Sequence, residues 1–316
     1  TINVLSPIAK SSDAPTLVKI LSTVPICALL AGTKLPICAI YVINATDMVE
    51  EARKVHDTWS TITAALGRAM IGTTLLGATL KNEQDKLTVR INGDGPVGHI
   101  VADSNMHGET KAYAANPHVN MELNEKGKLD VKGVVGENGM FTVSKNQGLK
   151  TPFTGQVPIV SGELAEDFTY YMAVSEQTPS AFGLSVLVNP DESVRVAGGF
   201  MIQVLPGASD ETIDALEKTI QQIPQVSDTL DKNNDLESIL VQLVGEENYQ
   251  ILEEMPVSFK CDCSKERFSK AIISLGQNEI EQMIDEDDGA EAVCHFCQSK
   301  YQFDAVELET LIEEAK

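Results

Sequence analysis

Short apolar runs separated by turn-forming residues occupy much of the chain and predict β-strands. Phe182–Val188 and Val194–Leu205 flank Asn189-Pro190-Asp191-Glu192, a run typical of a tight turn, and together they predict a β-hairpin. Further strands are predicted at Leu87–Ile91, Gly98–Ala102, Leu129–Gly133 and Met140–Val143.

Helical stretches interrupt these strands. One helix is predicted to start near Asp57–Ser60 and to continue to about Lys81, and its glycine and alanine residues would allow close packing against another backbone. A second helix is predicted from Ser161 through Ala173. Because helices and strands come in blocks rather than in strict alternation, residues 41–207 are predicted to form an α+β core domain, with helices packed on a mixed or antiparallel sheet.

The pattern changes to helical spacing in residues 208–255. Pro224 and Asn233-Asn234 interrupt the apolar repeat, which predicts two amphipathic helices. The stretch holds 12 acidic residues and two lysines. Because like charges repel one another along a helix, we predict a helical, metastable linker. Its apolar positions include Ile213, Leu216, Ile220, Leu236, Ile239, Leu240 and Leu243.

Residues 256–316 are predicted to form a small separate domain with capped helices. Ser264 can cap a helix that ends at Gly276, and Asn278 can cap a second short helix. Asp304 and Glu307 have the spacing of a capping box for the final helix. So short a stretch with few large apolar side chains buries little surface, so another interaction must stabilise it.

Residues 1–40 form an atypical N-terminal segment with one acidic residue and four of the 13 prolines. Cys27 and Cys38 lie in apolar surroundings, which predicts buried and unreactive thiols. Val24–Ile43 is apolar but contains Lys34 and two prolines, so it predicts no membrane span. Val24–Ala31 resembles the apolar part of a secretory signal, but the long leading segment with Asp13 and three prolines argues against one.

The composition narrows the range of functions. The net charge is -22 at pH 7, and no cluster of lysine and arginine occurs that could neutralise phosphates, so we expect no nucleic-acid partner. Four of the six cysteines form two close pairs near the C-terminus. In a reducing compartment such pairs indicate metal binding rather than a disulfide framework. We therefore expect a cytoplasmic protein that does not bind membranes.

The two cysteine pairs are Cys261-Asp262-Cys263 and Cys294-His295-Phe296-Cys297. Four thiolates complete the tetrahedral coordination of one Zn²⁺ ion and leave no position open for a substrate, which is typical of a structural site. His295 is an alternative ligand in place of one cysteine. The sequence therefore predicts one zinc ion bound by Cys261, Cys263, Cys294 and Cys297.

The surroundings of these cysteines suggest a switch. Acidic residues between Glu279 and Glu291 are expected to raise the pKa of the thiols, whereas zinc would keep all four deprotonated. Structural zinc supplies about 10–16 kcal/mol of apparent binding free energy, and a whole domain is usually stable by only about 5–15 kcal/mol. Oxidation of the ligands is therefore expected to release zinc and unfold the domain, and the unfolding could spread into the linker.

Other readings of the sequence stay open or carry little weight. Gly93–Gly98 has the glycine spacing of a dinucleotide fingerprint, but a strand-like run follows it, so we interpret it as a turn. No motif of a known hydrolase or phosphate-binding loop occurs, and we expect no enzymatic activity. Two alternatives to the switch are a constitutive protein-interaction module with purely structural zinc, and a thiol–disulfide oxidoreductase that uses Cys294 and Cys297.

From about Tyr41 to the C-terminus the chain resembles the heat-shock protein 33 family, the bacterial redox-regulated chaperones also called 33 kDa chaperonins. Both cysteine pairs contribute to the resemblance. The other blocks that carry it are Gly95–Gly98, Ile100–Asn105, Leu123–Asp130, Thr154–Leu164, Asp167–Tyr171, Ser175–Ser180 and Gly198–Gln203.

The resemblance implies a chaperone that holds unfolding proteins without ATP during oxidative stress in the bacterial cytoplasm. The reduced monomer binds zinc and is inactive. On oxidation Cys261 pairs with Cys263 and Cys294 with Cys297, zinc leaves, the linker and zinc domain unfold, and a homodimer binds client proteins. We place the client surface on the linker and on the core beneath it, with ordinary helix packing as the alternative for the same side chains. The predicted client-binding residues are Leu216, Ile220, Ile239 and Leu243.

Residues 1–40 depart from the family pattern. Members of the family begin with a short strand that leads directly into the region matching Tyr41–Met48. A chain without that strand would have a sheet edge that is unpaired or differently covered.

Overall fold

The chain divides into two compact units, Thr1–Phe259 and Lys260–Lys316, in a computed structural model. No helix among the described residues is long and apolar enough to cross a membrane. The structure describes residues 16–22, 38–148, 151–208, 214, 218, 220, 222, 225–233, 235–245 and 249–314.

Two β-sheets frame the first unit. The strands are β1 (Thr16–Ser22), β2 (Cys38–Asn44), β3 (Lys86–Asn92), β4 (His99–Asn105), β5 (Glu109–Ala114), β6 (Met140–Asn146), β7 (Phe153–Pro158), β8 (Ser180–Val188), β9 (Val194–Val204), β10 (Tyr249–Pro256) and β11 (Ser258–Phe259). One sheet has the order β10-β1-β2-β9-β8, and the other has the order β11-β5-β4-β3-β6-β7. Neighbouring strands are antiparallel except for β11 and β5, which are parallel.

A central helix connects the two sheets. The helices of this unit are α1 (Thr46–His56), α2 (Ser60–Gly77), α3 (Val131–Val135), α4 (Ala165–Val174), α5 (Val226–Asn233) and α6 (Leu236–Val244). The helix α2 is buried along nearly its whole length and contacts strands of both sheets. A Cβ atom at Gly77 would lie 2.9 Å from the Asn105 carbonyl oxygen, so the predicted close packing against another backbone is confirmed there. A Cβ atom at Gly72 would lie 2.4 Å from the Phe168 ring, which is a side chain.

Both faces of the five-stranded sheet are covered, and β2 shows this most clearly. Tyr41 and Ile43 face the main core that surrounds α2, whereas Ile40 and Val42 face a second cluster formed with α5 and α6. Side chains of a strand alternate between faces. All seven residues of β2 are therefore buried, and the apolar run has no polar alternation.

The second unit is small. Its elements are α7 (Lys265–Ile273), α8 (Gln277–Asp287), β12 (Gly289–Val293), β13 (Lys300–Asp304) and α9 (Ala305–Glu314). The strands β12 and β13 form an antiparallel hairpin. The buried apolar residues of this unit's cluster are Ile272, Ile280, Phe303, Leu308 and Leu311.

Several local predictions are confirmed. The hairpin of β8 and β9 closes over the predicted turn, in which the Asn189 N–H donates to the Ser193 carbonyl over 2.8 Å. Gly93–Gly98 is the turn between β3 and β4. In the capping box of α9, the Asp304 N–H donates to Glu307 Oε2 over 3.2 Å and the Glu307 N–H donates to Asp304 Oδ1 over 2.8 Å.

Two predicted elements are wrong because a cap was misread. Leu129–Gly133 was predicted as a strand, but Asp130 accepts a hydrogen bond from the Gly133 N–H over 2.9 Å and begins α3. The N-cap of α8 is Gly276 rather than Asn278, which lies inside the helix. The helix α1 was not predicted, and it ends at Asp57, which adopts the left-handed conformation with φ 50°.

Two differences concern strands with distant partners. The linker predicted over 208–255 contains α5 and α6, but its last part forms the strand β10. The strand β1 lies within residues 1–40 and pairs with β2 and β10, so the expected gap at the sheet edge is filled. β10 is the edge strand of its sheet and pairs with β1, whereas β1 pairs with both β10 and β2.

Candidate metal centre

The four cysteines predicted as ligands come together in the second unit. Their sulfur atoms all lie within 4.8 Å of one another. Cys261 Sγ is 3.7 Å from Cys294 Sγ, and Cys263 Sγ is 3.3 Å from Cys297 Sγ. A tetrahedral ion with Zn–S bonds of about 2.3 Å separates its sulfur ligands by about 3.8 Å. The donor set and its spacing therefore fit a zinc ion.

The second pair, Cys294 and Cys297, lies in a hairpin loop. Because Val293 is paired with Lys300, residues 294–299 form the connection between β12 and β13. The Cys294 N–H donates to the Ser299 carbonyl over 2.9 Å, and the Gln298 N–H donates to the Cys294 carbonyl over 2.8 Å. Gln298 adopts a left-handed conformation with φ 57°. This tight loop brings the sulfur atoms of Cys294 and Cys297 to the same side.

The first pair lies in the extended segment that leads into α7. Ser264 Oγ accepts a hydrogen bond from the Arg267 N–H over 3.3 Å, which caps this helix as predicted. The Arg267 guanidinium donates to the Asp262 carbonyl oxygen over 3.1 Å and lies 2.8 Å from the Asp262 carboxylate. Alternate side chains of an extended segment point the same way. Fixing Asp262 on one side therefore directs Cys261 and Cys263 to the other.

Burial, rather than the acidic residues between the pairs, is the main influence on the thiols. Burial raises the pKa of Cys261 and of Cys263. Burial is the largest single influence on the pKa of Cys297 and acts to raise it. Hydrogen bonds with the hydroxyl and backbone N–H of Ser299, and with Cys263 and Cys261, together outweigh burial and lower this pKa to about 7. The expected rise is thus confirmed in direction for two thiols, with a different cause, and is wrong for Cys297.

Two hydroxyl groups that the sequence analysis did not identify contact the cluster. Cys263 Sγ lies 3.2 Å from the Tyr301 hydroxyl, and Cys297 Sγ lies 3.2 Å from Ser299 Oγ. The pKa of Tyr301 is raised to about 12, mainly by the hydrogen bond with Cys263 and secondly by burial. The sequence does contain a sign of these contacts. Side chains of an extended segment alternate in direction, so residues 299 and 301, just after the second cysteine pair, point to the same side of the chain.

The other histidine and cysteine residues considered in the sequence do not join the four-thiol cluster in the described part of the chain. His295 is exposed in the hairpin loop, and the metal-binding group found among the described residues contains only the four cysteines. Cys38 is buried in β2, and Cys27 lies outside the described residues. Since all four sulfur atoms lie within the same 4.8 Å, their distances favour no particular disulfide pairing.

Three of the four predicted client-binding residues can be located. Ile239 is 1% exposed and Leu243 is 2% exposed, and both pack against the sheet face that contains Ile40 and Val42. Ile220 is partly buried against the same cluster, and Leu216 lies outside the described residues. In this structure these side chains therefore make the helix-to-core contacts that were the alternative to client binding.

Comparison with known proteins gives one consistent result. A family model described as Hsp33 protein matches residues 37–304. The 33 kDa chaperonin of Enterococcus faecalis is 58% identical over 275 residues, which cover 87% of this chain and 92% of that protein. The 33 kDa chaperonin of Listeria monocytogenes is 57% identical over 279 residues, which cover 88% of this chain and 95% of that protein.

A solved structure extends this similarity to the fold. The crystal structure of the 33 kDa chaperonin (heat shock protein 33 homolog) of Thermotoga maritima matches with a TM-score of 0.83 and 36% identity. The match covers 96% of this chain and 99% of the Thermotoga chain. By its sequence and its fold, this chain belongs to the Hsp33 family.

Proposed function

We propose that this protein is a molecular chaperone that oxidation activates, and that it holds unfolding client proteins without ATP during oxidative stress. Membership of a family of chaperonins supports the chaperone activity. The observation that carries the redox control is the group of four thiols within 4.8 Å in a unit with a small core. Such a unit depends on its cysteines for stability, so a change in the cysteines changes its folding.

In the reduced state Cys261, Cys263, Cys294 and Cys297 would hold one zinc ion. Bound zinc would keep the four sulfurs deprotonated and tie the segment before α7 to the hairpin loop of residues 294–299. That connection would supply about 10–16 kcal/mol. Five buried apolar side chains provide a similar amount, at about 1.5–3 kcal/mol each, but the entropy cost of ordering the chain offsets that contribution.

Oxidation by a peroxide removes this connection. Each pair of thiolates gives up two electrons, one S–S bond forms, the O–O bond of one hydrogen peroxide molecule breaks, and two hydroxide ions result. Following the family resemblance, we assign the disulfides to Cys261 with Cys263 and to Cys294 with Cys297. Without thiolate ligands the second unit loses its metal and unfolds.

Unfolding passes from the second unit to the linker along the chain itself. The strand β11 is held by β5 and β10 by β1, and Cys261 follows them directly in sequence. Loss of these pairings would free α5 and α6, whose apolar side chains cover one face of the five-stranded sheet. We assign client binding to this face and to the linker residues that leave it, including Leu216, Ile220, Ile239 and Leu243.

Further properties belong to the same proposal. We expect the reduced zinc-bound chain to be a monomer in the bacterial cytoplasm and the oxidised chain to be a homodimer. No phosphate-binding motif occurs in the sequence, and Gly93–Gly98 is a turn between strands, which agrees with a chaperone that needs no ATP and has no enzymatic activity.

A second candidate is a constitutive protein-interaction module with structural zinc. The four-sulfur donor set favours it, because a site with four protein ligands has no open position and usually serves only stability. This candidate predicts full activity in the reduced protein and loss of activity after oxidation.

The test compares zinc release, disulfide formation and suppression of client aggregation in one peroxide titration under mild heat. The proposal predicts that release of one zinc ion, formation of two disulfides and suppression of aggregation rise together. A variant with Glu122→Gln, an exposed change in the first unit that alters neither the four thiols nor the sheet face under the linker, should behave like the original chain. Aggregation suppressed equally by the reduced zinc-bound protein would refute redox activation.

A further inference from the structure

We propose that Met283 is a second oxidation site of this protein, at which hypochlorous acid opens the second unit through its apolar core rather than through its cysteines. The inference deepens the proposed function and rests on it for the step from unfolding to client binding. Met283 is the one methionine of residues 260–316, and the other methionines belong to the first unit. It lies on α8 and packs against the small apolar cluster of the second unit.

The helix α8 has little stability of its own. Residues 285–287 are all acidic and form the end of the helix, where the helix dipole disfavours negative charge. The N-cap residue is Gly276, so no side chain of that residue caps the first turn. The apolar side chains of α8 are those of Ile280, which is fully buried, and of Met283 and Ile284, which are partly buried against the cluster. The helix therefore depends on these three contacts.

The position of α8 connects its stability to the rest of the second unit. It contacts α9 and the strand β12. The strand β12 ends at Val293, directly before Cys294, and its partner β13 follows the loop of residues 294–299. Because five buried residues form the whole buried part of the described cluster, a weaker contact at α8 removes a large share of the support for this hairpin.

The methionines of the first unit differ from Met283 in access or in packing. Four are at most 5% exposed, which shields their sulfur atoms from an oxidant in the folded state: Met48, Met70, Met172 and Met201. Three are partly buried against the much larger core around α2: Met106, Met121 and Met255. Met140 is 37% exposed at the start of β6, where an added oxygen stays in water. Met283 alone is both partly exposed and packed against a small core.

The reaction is the oxidation of a thioether to a sulfoxide. The Met283 sulfur donates an electron pair to the chlorine atom of hypochlorous acid, the O–Cl bond breaks and hydroxide leaves. Water then adds to the sulfur, and chloride and two protons leave, so that sulfur has lost two electrons and chlorine has gained two. Hypochlorous acid is uncharged, so the acidic residues of α8 do not repel it.

The new oxygen atom has no suitable partner on the helix. Glu279 lies four residues before Met283, and Glu286 and Asp287 lie three and four residues after it, so these carboxylates are its polar neighbours along the helix surface. An ionised carboxylate accepts hydrogen bonds and donates none. A sulfoxide oxygen is also an acceptor, and burying it without a donor is unfavourable. The oxidised side chain therefore leaves the apolar cluster, and α8 loses one of its three contacts.

The experiment uses the full-length, zinc-loaded protein and a limiting amount of hypochlorous acid. Dithiothreitol, which reduces disulfides but not sulfoxides, is then added, and zinc is restored. Mass spectrometry selects samples with four free thiols in the second unit and one added oxygen at Met283. Protease should cut residues 260–314 about 10-fold faster than in untreated protein, because cleavage follows the population of the open unit and an unpaired buried polar group raises that population. Suppression of client aggregation should rise in the same samples.

Two matched variants assign the effect to Met283. Met283→Leu keeps an apolar side chain and cannot form a sulfoxide, so treatment should leave its cleavage rate within about twofold of the untreated rate. Met140→Leu removes an exposed methionine of the first unit and should respond to treatment like the original chain. Methionine sulfoxide reductase should return the treated original protein to slow cleavage.

Three results would overturn the inference. They are equal acceleration of cleavage in treated Met283→Leu, slow cleavage of protein that carries the sulfoxide at Met283, and rapid cleavage that the reductase does not reverse. If the sulfoxide opens the second unit but clients still aggregate, the proposed function fails and the assignment of Met283 stands. If peroxide activates the protein through its thiols while the Met283 sulfoxide leaves the second unit closed, the proposed function stands and the assignment fails.

Discussion

The two units of this chain are stabilised by different interactions. In the first unit the helix α2 is buried between two sheets, and its core includes large, fully buried side chains such as Phe141, Phe168 and Tyr171. In the second unit, five buried apolar residues form the cluster under three short helices and one hairpin. One unit is stabilised mainly by apolar burial, and in the proposed function the other depends on its four cysteines.

This difference explains how one chemical event can change part of the molecule and leave the rest folded. Oxidation of thiols has no direct effect on packed aliphatic and aromatic side chains, but in the proposed function it removes the ligands on which the small unit depends. The linker helices α5 and α6 are intermediate between the two units in how they are stabilised. They bury apolar side chains on the sheet, but they lie on its outer side. Four substitutions test this difference between the two units and the linker.

The largest effect is expected from Cys294→Ser. The variant keeps three thiols, and it should lose most of the roughly 10–16 kcal/mol that a structural zinc provides. Limited proteolysis of the reduced protein should then cut within residues 260–314 and in the linker helices α5 and α6, while α2, β3 and β4 stay intact. Fluorescence of Trp59, the one tryptophan of the chain, reports separately on the first unit.

Cys38→Ala is the control for this variant, because Cys38 is buried in the first unit and lies outside the four-thiol cluster. It should keep one zinc per chain and a protease-resistant second unit. Resistance of residues 260–314 in the metal-free Cys294→Ser protein would contradict the dependence of this unit on its cysteines.

The next largest effect concerns the linker. Leu240 on α6 is 0% exposed, and Leu240→Ala should cost about 2–5 kcal/mol. We expect the reduced, zinc-loaded variant to bind a hydrophobic dye that the original chain binds only after oxidation. The exposed change Lys232→Ala on α5 is the control. Dye binding that is equally low in all the reduced proteins would show that linker packing does not limit exposure of the sheet.

A moderate effect is expected inside the first unit. Gly72→Ala adds a Cβ that would lie 2.4 Å from the Phe168 ring, and the cost of overpacking, about 2 kcal/mol, exceeds the gain in helix propensity. Urea denaturation, monitored by the fluorescence of Trp59, measures this loss of stability. In a Phe168→Leu background the same change should cost less, and an unchanged cost there would exclude the clash as the cause.

The smallest effect is a pH dependence of the first unit. The Arg53 side chain is the main cause that lowers the pKa of Glu50 to about 2, against burial, and the Val194 N–H adds to the lowering. Because the pKa is lower in the folded state, this stabilisation is present above the unfolded pKa near 4.3 and is lost as the pH falls from about 5 towards 2. Glu50→Gln should remove about 1 kcal/mol of this dependence in acid denaturation curves, and identical curves would contradict it.

The sequence predicts features whose cause is local. The spacing of the cysteine pairs indicates the four-thiol cluster, and Ser264, Asp304 and Glu307 identify helix starts that the structure confirms. The turn at Asn189–Glu192 is also local, and Glu192 there adopts a left-handed conformation with φ 69°. For the helix starts, the turn and each cysteine pair taken singly, the residues that determine the geometry lie within a few positions of one another.

Features with distant causes were not predictable in the same way. Residues 249–256 contain leucine, methionine and glutamate, which favour helices, yet they form β10 because β1 lies beside them. The hydroxyl of Tyr301 reaches Cys263 only because the hairpin and the segment before α7 meet. The effect of burial on the thiol pKa values likewise depends on the folded surroundings.

Hydrogen–deuterium exchange measured by mass spectrometry, on reduced zinc-loaded and peroxide-treated protein, tests the central claim most directly when client aggregation is followed in the same samples. The account predicts that oxidation abolishes protection in residues 260–314 and in α5 and α6, while α2, β3 and β4 keep theirs and aggregation stops. Oxidised protein that suppresses aggregation with α5 and α6 still protected would contradict it.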